Sequence, residues 1–419
     1  NGTCPAKCVA PLFLHATIWS LGGTLDVASR PIFETALRQA CEPLKRSGSV
    51  VAGVAGGVRR ESRRSNEAPS GAQLPPSLLD KLQLPTSGSV WDFAYDRERG
   101  WVPWLDDASA ATVQESAAHA MLSAPGGALL QTVLVPTAAS IRMEWMLHVL
   151  LAADVPALFC GPSATGKSAI ITRCLERLDP ATYHTVRVLL TGSATAAQTR
   201  SLIEAKLERK AKGVLAPPEG TRLVLFVDDV AMAAAEPSGA QPPVELLRQA
   251  LAEEGWHDPI ELDFKSVRQL SHLAAMVPPS AHARHGVSAR FLRRYHLVQM
   301  PHTPDAALSA IFKSLLTAVL APFEDHVKAL IPALTASSID LYRRMQSELL
   351  PTPERAHYAF TMRDLRRLIE GMRMVAPSKV KKAPHLARLW YHECTRVFGD
   401  RLVDDADRAW LAIQLKEFV

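Results

Sequence analysis

The sequence has few cysteines, no long apolar run and no strong excess of charge. Its six cysteines are scattered over 419 residues, and the close pair Cys4 and Cys8 has no second pair with which to build a zinc site or a disulfide framework. We therefore expect reduced thiols in an intracellular, cytoplasmic protein. No stretch of about 18 apolar residues is present, so a membrane-spanning helix is not expected.

The net charge of the chain gives no indication of a polyanionic partner such as nucleic acid or an anionic membrane. The net charge is +5, from 47 basic and 42 acidic residues that are intermixed along the chain. This balance predicts binding neither to nucleic acid nor to a membrane surface. Apolar residues make up 47% and charged residues 21%, a composition typical of globular domains, and the length suggests two to four of them. The chain begins at Asn1 without an initiator methionine or a signal sequence, so we expect a fragment of a longer chain.

A phosphate-binding loop is the strongest motif in the chain. It matches the pattern G-x-x-x-x-G-K-S and consists of Gly161, Pro162, Ser163, Ala164, Thr165, Gly166, Lys167 and Ser168. An apolar run at residues 155–160 precedes it and a helical pattern at residues 169–178 follows it, which favours this interpretation over an ordinary glycine-rich turn. The glycines let successive backbone amides face one anion, Lys167 would bind the β- and γ-phosphates, and Ser168 would bind Mg²⁺.

A second cluster of candidate residues follows an apolar strand. Residues 223–227 are consecutively apolar, as in a strand that is buried on both faces, and Asp228 and Asp229 come directly after them. Ligands of parallel sheets bind at the carboxyl edge of the strands. Asp228 is therefore the predicted second Mg²⁺ ligand, and Asp229 is the candidate that polarises the attacking water. Alternatively, Asp229 caps a helix.

The order of apolar patterns predicts an α/β fold with a doubly wound parallel sheet of about five strands, followed by an all-helical subdomain. Predicted strands include residues 130–135, and a long charged helix is predicted at residues 196–210. We divide the chain into residues 1–86, 87–129, 130–304 and 305–419. Residues 47–87 read as a solvated loop or a basic docking patch, and residues 108–127 have no clear period.

Aromatic residues at positions 90–104 predict a hairpin, with Tyr95 before its turn and Trp101 and Trp104 after it. Packing at the edge of a domain explains these rings more simply than base stacking does.

Two arginines are further candidates for the active site. Arg290 precedes the last strand and Arg363 opens a helix of the helical subdomain; either could stabilise a transferred phosphoryl group, although the residues alone favour a surface arginine at both positions.

Together these motifs resemble the AAA+ ATPases, and among them the third AAA+ module of axonemal dynein heavy chains. The resemblance is carried by LVPT at 134–137, the phosphate-binding loop, FVDD at 226–229, GAQPPVELLRQ at 239–249, RFLR at 290–293, and LWYHE at 389–393 with RVFGDRL at 396–402. IWSLGG at 18–23 is similar to the end of the second module. The resemblance covers most of the chain outside residues 47–87 and 108–127.

The resemblance implies a ring of AAA+ modules on one heavy chain that drives a microtubule motor in the axoneme of cilia and flagella, with intermediate and light chains as further partners. It implies ATP or ADP with Mg²⁺ as the ligand. Val135 and Pro136 match the segment beside the adenine. Arg363 matches the sensor that touches this module's own γ-phosphate, whereas Arg290 matches the finger that acts in trans on the preceding module.

Three departures from the family pattern bear on hydrolysis. Asp229 stands where AAA+ sites generally carry Glu, residues 274–278 lack the usual polar sensor, and residues 231–234 lack the expected Asn and Pro. We therefore expect slow hydrolysis in a module that regulates the motor. The alternative is a structural module that holds its nucleotide permanently; a stand-alone kinase would not explain the helical subdomain.

Overall fold

The computed structural model of this chain describes residues 6–41, 83–122, 133–278 and 286–418. They belong to two compact units, of which the first is Asn1–Trp104 and the second Leu105–Val419. Most of the segment 47–87, and with it the choice between a solvated loop and a docking patch, lies outside the described residues. The proposed division at residues 86, 129 and 304 stays a prediction.

The described residues of the first unit form two α-helices and a β-hairpin. Its elements are α1 (Ala6–Ser20), α2 (Ser29–Cys41), β1 (Phe93–Asp96) and β2 (Gly100–Pro103). The two strands pair antiparallel, which confirms the predicted hairpin. The rings of Trp19 and Trp91 are buried and meet edge to face with their centroids 5.4 Å apart, and Tyr95 meets Trp101 at the same separation. The aromatic residues therefore pack against one another, as expected for a domain edge.

The described part of the second unit combines two sheets with helices. In chain order its elements are α3 (Asp107–Leu122), α4 (Ala138–Ala152), β3 (Ala157–Cys160), α5 (Lys167–Glu176), β4 (Tyr183–Leu189), α6 (Ala196–Glu204), β5 (Glu208–Ala211), β6 (Val214–Ala216), β7 (Arg222–Asp228), α7 (Pro242–Glu253), β8 (Gly255–His257), β9 (Phe264–Val267), β10 (Leu270–Met276), α8 (Ala289–Leu292), β11 (His296–Gln299), α9 (Asp305–Val319), α10 (Asp325–Lys328), α11 (Ile331–Glu348), α12 (Met362–Arg373), α13 (Ala383–Cys394) and α14 (Asp405–Phe418). A short π-helix, Thr395–Gly399, continues α13.

The larger sheet has five strands in the order β11-β3-β10-β7-β4, and every pairing in it is parallel. β7 is covered on both faces, since its residues 223–227 have no exposed surface. Leu223, Leu225 and Val227 belong to the core that includes side chains of α6 and α7, and the alternation of a strand turns Val224 and Phe226 to the other face. The predicted doubly wound α/β fold is confirmed.

From α9 onward the described residues contain helices and no strand, so the predicted all-helical subdomain is also confirmed. One core cluster contains residues of α9, α11, α12, α13 and α14. α3 also joins this core through Ala118, which is fully buried. No element was predicted at α3, because its alanines and serines create no apolar period. Among the described residues, no helix has both the length and the apolar character needed to cross a membrane.

Two predicted elements differ from the structure. Residues 133–135 are not a strand, while residues 130–132 lie outside the described part of the chain. The carbonyls of Val133 and Leu134 accept hydrogen bonds from Arg366 and Arg173 instead of from a neighbouring strand. The long helix predicted at 196–210 was also wrong beyond residue 204.

A second sheet replaces the end of that predicted helix. Its four strands lie in the order β5-β6-β9-β8. β5 has the sequence ERKA and is exposed along its whole length, so it shows no apolar alternation. Charged residues of this kind are good helix formers, and pairing with β6, β9 and β8 overrides that local preference.

The buried His272 in β10 generates a prediction about acid stability. Its Nδ1 has no hydrogen-bond partner among the described residues, and burial lowers the pKa of His272 to about 4. The unfolded chain therefore binds a proton below about pH 6.5 that the folded chain rejects until about pH 4. His272 should thus cost up to about 3 kcal/mol of unfolding free energy as the pH falls through this window. Urea denaturation at pH values from 7.5 to 4.5 measures the free energy of unfolding. This free energy should depend less on pH in His272→Leu than in the unaltered chain; equal slopes in the two proteins would contradict the prediction.

Candidate functional site

The phosphate-binding loop is anchored where three strands end. β3 leads into the loop and α5 begins at Lys167. The amide of Gly161 donates to the carbonyl of Met276 at 3.2 Å, at the end of β10, and the amide of Met300 donates to Cys160 at 2.7 Å, just after β11. These bonds place the loop at the carboxyl edge of the sheet, where parallel folds bind their ligands.

Backbone conformation gives the loop its concave form. Ala164 and Gly166 have φ of 64° and 89°, in the left-handed region. Such turns direct successive amides toward one point and make an anion-binding concavity, to which the first turn of α5 adds the positive end of its dipole. A Cβ on Gly161 would lie 2.6 Å from the carbonyl oxygen of Met300, so only glycine fits there without a shift.

Lys167 is buried against the loop that it follows. Its ammonium donates hydrogen bonds to the carbonyl oxygens of Gly161 and Pro162 at 2.7 and 2.6 Å, and the residue as a whole is 7% exposed. Thr165 donates its hydroxyl to the same Pro162 carbonyl at 3.0 Å. The predicted phosphate-binding lysine therefore has its charge held at the concavity by the loop itself.

Asp228 lies at the end of β7 and is hydrogen-bonded to three groups. Its Oδ1 accepts from the Ser168 hydroxyl at 2.8 Å and from the Asp229 amide at 3.1 Å. Its Oδ2 accepts from a guanidinium nitrogen of Arg187 at 2.7 Å. The structure thus brings together Ser168 and Asp228, the two residues predicted to bind a metal ion.

This pair fits a magnesium ion. Mg²⁺ prefers hard oxygen ligands, and a hydroxyl and a carboxylate oxygen already lie 2.8 Å apart here. Asp228 is almost completely buried, so its charge needs compensation in any state of the protein. Ser168 and Asp228 are accordingly the residues that would hold the ion.

The other predicted catalytic residues are less tightly fixed. Asp229 is partly buried with φ of 54°, and its side chain makes no capping hydrogen bond to the short 3-10 turn Val230–Met232 that follows. The helix-cap alternative therefore lacks its defining contact. Arg290 and Arg363 are exposed, on α8 and at the start of α12. Among the described residues, neither arginine side chain makes a hydrogen bond or ion pair with the loop; their roles stay predictions.

The predicted adenine-side segment is held by side chains from several helices. Val135 is buried, and the carbonyl of Pro136 accepts from Gln114 of α3 at 2.9 Å. Arg173 of α5 donates to Leu134 at 3.3 Å, and Arg366 of α12 donates to Val133 at 3.1 Å. The helical subdomain is thereby connected to the segment that leads into α4.

Sequence reasoning missed four of these residues: Gln114, Arg173, Arg187 and Arg366. Arg366 is partly buried, and this burial lowers the pKa of its guanidinium below its usual range. The only signal in the sequence was the charged Arg187 within the otherwise apolar run at residues 186–190. Nothing in the sequence indicated which carboxylate or carbonyl each group would reach.

Comparison with known proteins gives three family matches along the chain. Residues 3–106 match the dynein heavy chain AAA lid domain, residues 123–303 match the P-loop containing dynein motor region, and residues 311–408 match the dynein heavy chain ATPase lid domain.

Individual relatives agree with these matches. Mouse dynein axonemal heavy chain 1 is 30% identical over 98% of this chain, and mouse dynein axonemal heavy chain 12 is 30% identical over 97% of it. Human dynein axonemal heavy chain 6 is 34% identical over 68% of this chain. The chain spans 9%, 12% and 7% of these relatives, respectively.

The close approach at Gly161 gives a prediction for the loop. Gly161→Ala should lower the free energy of unfolding by about 1–3 kcal/mol, because the new methyl group must displace the Met300 backbone. Gly286→Ala is the matched control, since a Cβ there meets open space. Urea denaturation of both variants measures the difference. Equal stabilities would show that the loop absorbs the methyl group without strain.

Proposed function

This chain belongs to the dynein heavy chain family, and from that premise we propose that its second unit is the third AAA+ module of an axonemal dynein, which binds ATP with Mg²⁺ and hydrolyses it slowly. The observation that carries the proposal is the cluster at the sheet edge: a concave loop, a buried lysine, and a hydroxyl and carboxylate that share a hydrogen bond. Binding of a nucleotide with Mg²⁺ uses each of these groups: the loop and the lysine contact the phosphates, and the hydroxyl and the carboxylate contact the metal ion.

Each residue has a separable role in this proposal. The loop amides and Lys167 bind the phosphates, while Val135 and Pro136 lie beside the adenine. Ser168 and Asp228 hold Mg²⁺, which when bound neutralises charge on the phosphate oxygens. Asp229 orients the attacking water and accepts its proton. Arg363 stabilises the γ-phosphate of this module, and Arg290 acts in trans on the nucleotide of the preceding module.

Slow hydrolysis follows from the residues around the water position. Asp229 is one methylene shorter than the glutamate of general AAA+ sites, and its left-handed backbone fixes where the short side chain begins. β10 ends without a polar side chain in residues 274–278, so no amide or hydroxyl from that strand can help to orient water. General base catalysis depends on such positioning, so its loss lowers the rate more than the affinity.

The rest of the motor is proposed from the relatives alone. Residues 1–86 would complete the helical part of the preceding module, residues 87–129 would connect the two modules, and 130–304 and 305–419 would be the large and small parts of this one. The relatives' axonemal names favour a place in the ciliary or flagellar cytoskeleton. Neighbouring modules, intermediate and light chains, and microtubules contacted by other parts of the heavy chain are the partners of this proposal.

Nucleotide binding is tested with Lys167→Ala. The substitution removes charge-assisted hydrogen bonds to phosphate, so affinity for a fluorescent ATP analogue should fall about 100-fold. Lys313→Ala, on the exposed side of α9, is the control that changes the same residue type away from the loop. ATP turnover by the unaltered chain should stay below about 1 s⁻¹, because Asp229 and residues 274–278 position the attacking water poorly. Unchanged affinity in Lys167→Ala, or turnover of several per second, would contradict the proposal.

One observation favours the alternative of a structural nucleotide. Arg366 connects the helical subdomain to residue 133, and such a closed arrangement would slow the departure of a bound ligand. The rate of ADP release decides between the two functions. A switch should release a fluorescent ADP analogue within about a minute at 25 °C, whereas a permanently bound nucleotide would remain for hours. Arg366→Gln should accelerate release if this contact helps to retain the ligand.

A further inference from the structure

We propose that Arg187 competes with Mg²⁺ for the carboxylate of Asp228 and so lowers the magnesium affinity of this site. The inference rests on the proposed nucleotide-binding function and concerns its regulation. Neither the phosphate-binding motif nor the family resemblance pointed to Arg187. The contact itself is an ion pair of 2.7 Å between the guanidinium and Oδ2 of Asp228.

The position of Arg187 explains how it reaches the site. β4 is an edge strand of the five-stranded sheet, and its Arg187 pairs in register with Phe226 of β7. The buried residues Val186 and Val188 belong to the core shared with α6 and α7, so alternation turns Arg187 to the opposite face. There the guanidinium carbon lies 5.7 Å from the centre of the Phe226 ring, and the fork extends to the strand end at Asp228.

Burial of Asp228 makes this contact important. The side chain of Asp228 is 4% exposed, whereas that of Arg187 is 49% exposed. A buried carboxylate is unfavourable unless a cation or several donors compensate it. Arg187 supplies this compensation on Oδ2, while Ser168 and the Asp229 amide occupy Oδ1. Both carboxylate oxygens are therefore already partnered by the protein.

A magnesium ion needs the same charge that Arg187 neutralises. Two cations on one carboxylate repel each other, and because the guanidinium of Arg187 is half exposed, solvent screens this repulsion to about tenfold in affinity. Because Arg187 is half exposed, it can also turn into solvent when Mg²⁺ binds. The loop can then bind phosphate without the ion. Ser168 and Asp228 bind Mg²⁺ only at a higher concentration than they would need if Arg187 were absent.

The test is a magnesium titration of nucleotide affinity in the complete chain. Binding of a fluorescent ADP analogue is followed by anisotropy, first with EDTA and then with increasing Mg²⁺. Arg187→Gln should reach half of its magnesium effect at about one tenth of the Mg²⁺ concentration that the unaltered chain needs. Its affinity in EDTA should be unchanged, and Arg187→Lys, which keeps the charge, should behave like the unaltered chain.

Two controls separate an effect of Arg187 on Mg²⁺ binding from a general effect of losing an arginine and from misfolding. Arg222→Gln removes an arginine from β7 that forms an ion pair with Asp154, away from Asp228, and should not alter the magnesium titration. Thermal denaturation identifies any variant that fails to fold, in which case Arg187→Leu and Arg187→Lys provide the comparison. Equal magnesium midpoints for Arg187→Gln and the unaltered chain, with nucleotide bound, would overturn the role of Arg187 alone. Failure of every protein to bind nucleotide would overturn the proposed function and this inference together.

Discussion

The buried carboxylate of Asp228 is the constraint on which the site depends. Its burial follows from β7, which lies between β10 and β4 and is covered on both faces. A charge at the end of such a strand requires donors, and they come from the loop helix, the next peptide and the neighbouring strand. The need of this buried carboxylate for hydrogen-bond donors therefore explains why Ser168, Asp229 and Arg187, from three parts of the chain, all contact it.

The helical subdomain meets a similar requirement at the start of α12. Thr361 and Asp364 form a capping box, and the buried Asp364 also pairs with Arg367 and Arg401. This fixes the first turn of α12, from which Arg363 is exposed and Arg366 reaches the carbonyl of Val133. A displacement of α12 therefore moves the segment before α4 as well, which gives the two parts of the module a physical connection.

The sequence predicted those parts of the fold whose apolar pattern and burial agree. β7, the phosphate-binding loop and α12 appeared where expected, because each combines an unambiguous period with specific terminal residues. β5 did not, since it is an exposed strand built from helix-forming residues. The same limit applies to the site. Ser168 and Asp228 belong to recognised motifs, whereas Arg187 acts through a tertiary contact across two strands, which no local pattern encodes.

The hydrogen bonds of the loop also bear on the choice between a switch and a permanent nucleotide site. Lys167 is bonded to two carbonyls of its own loop, and Asp228 is compensated by Arg187 and Ser168. A nucleotide must replace these internal bonds, so only the difference between the two sets contributes to affinity. A site whose charges are satisfied by the protein itself stays folded and ordered between ligands. That property suits a module that releases and rebinds its nucleotide, since a purely structural nucleotide would be needed most where the protein offers no such substitutes.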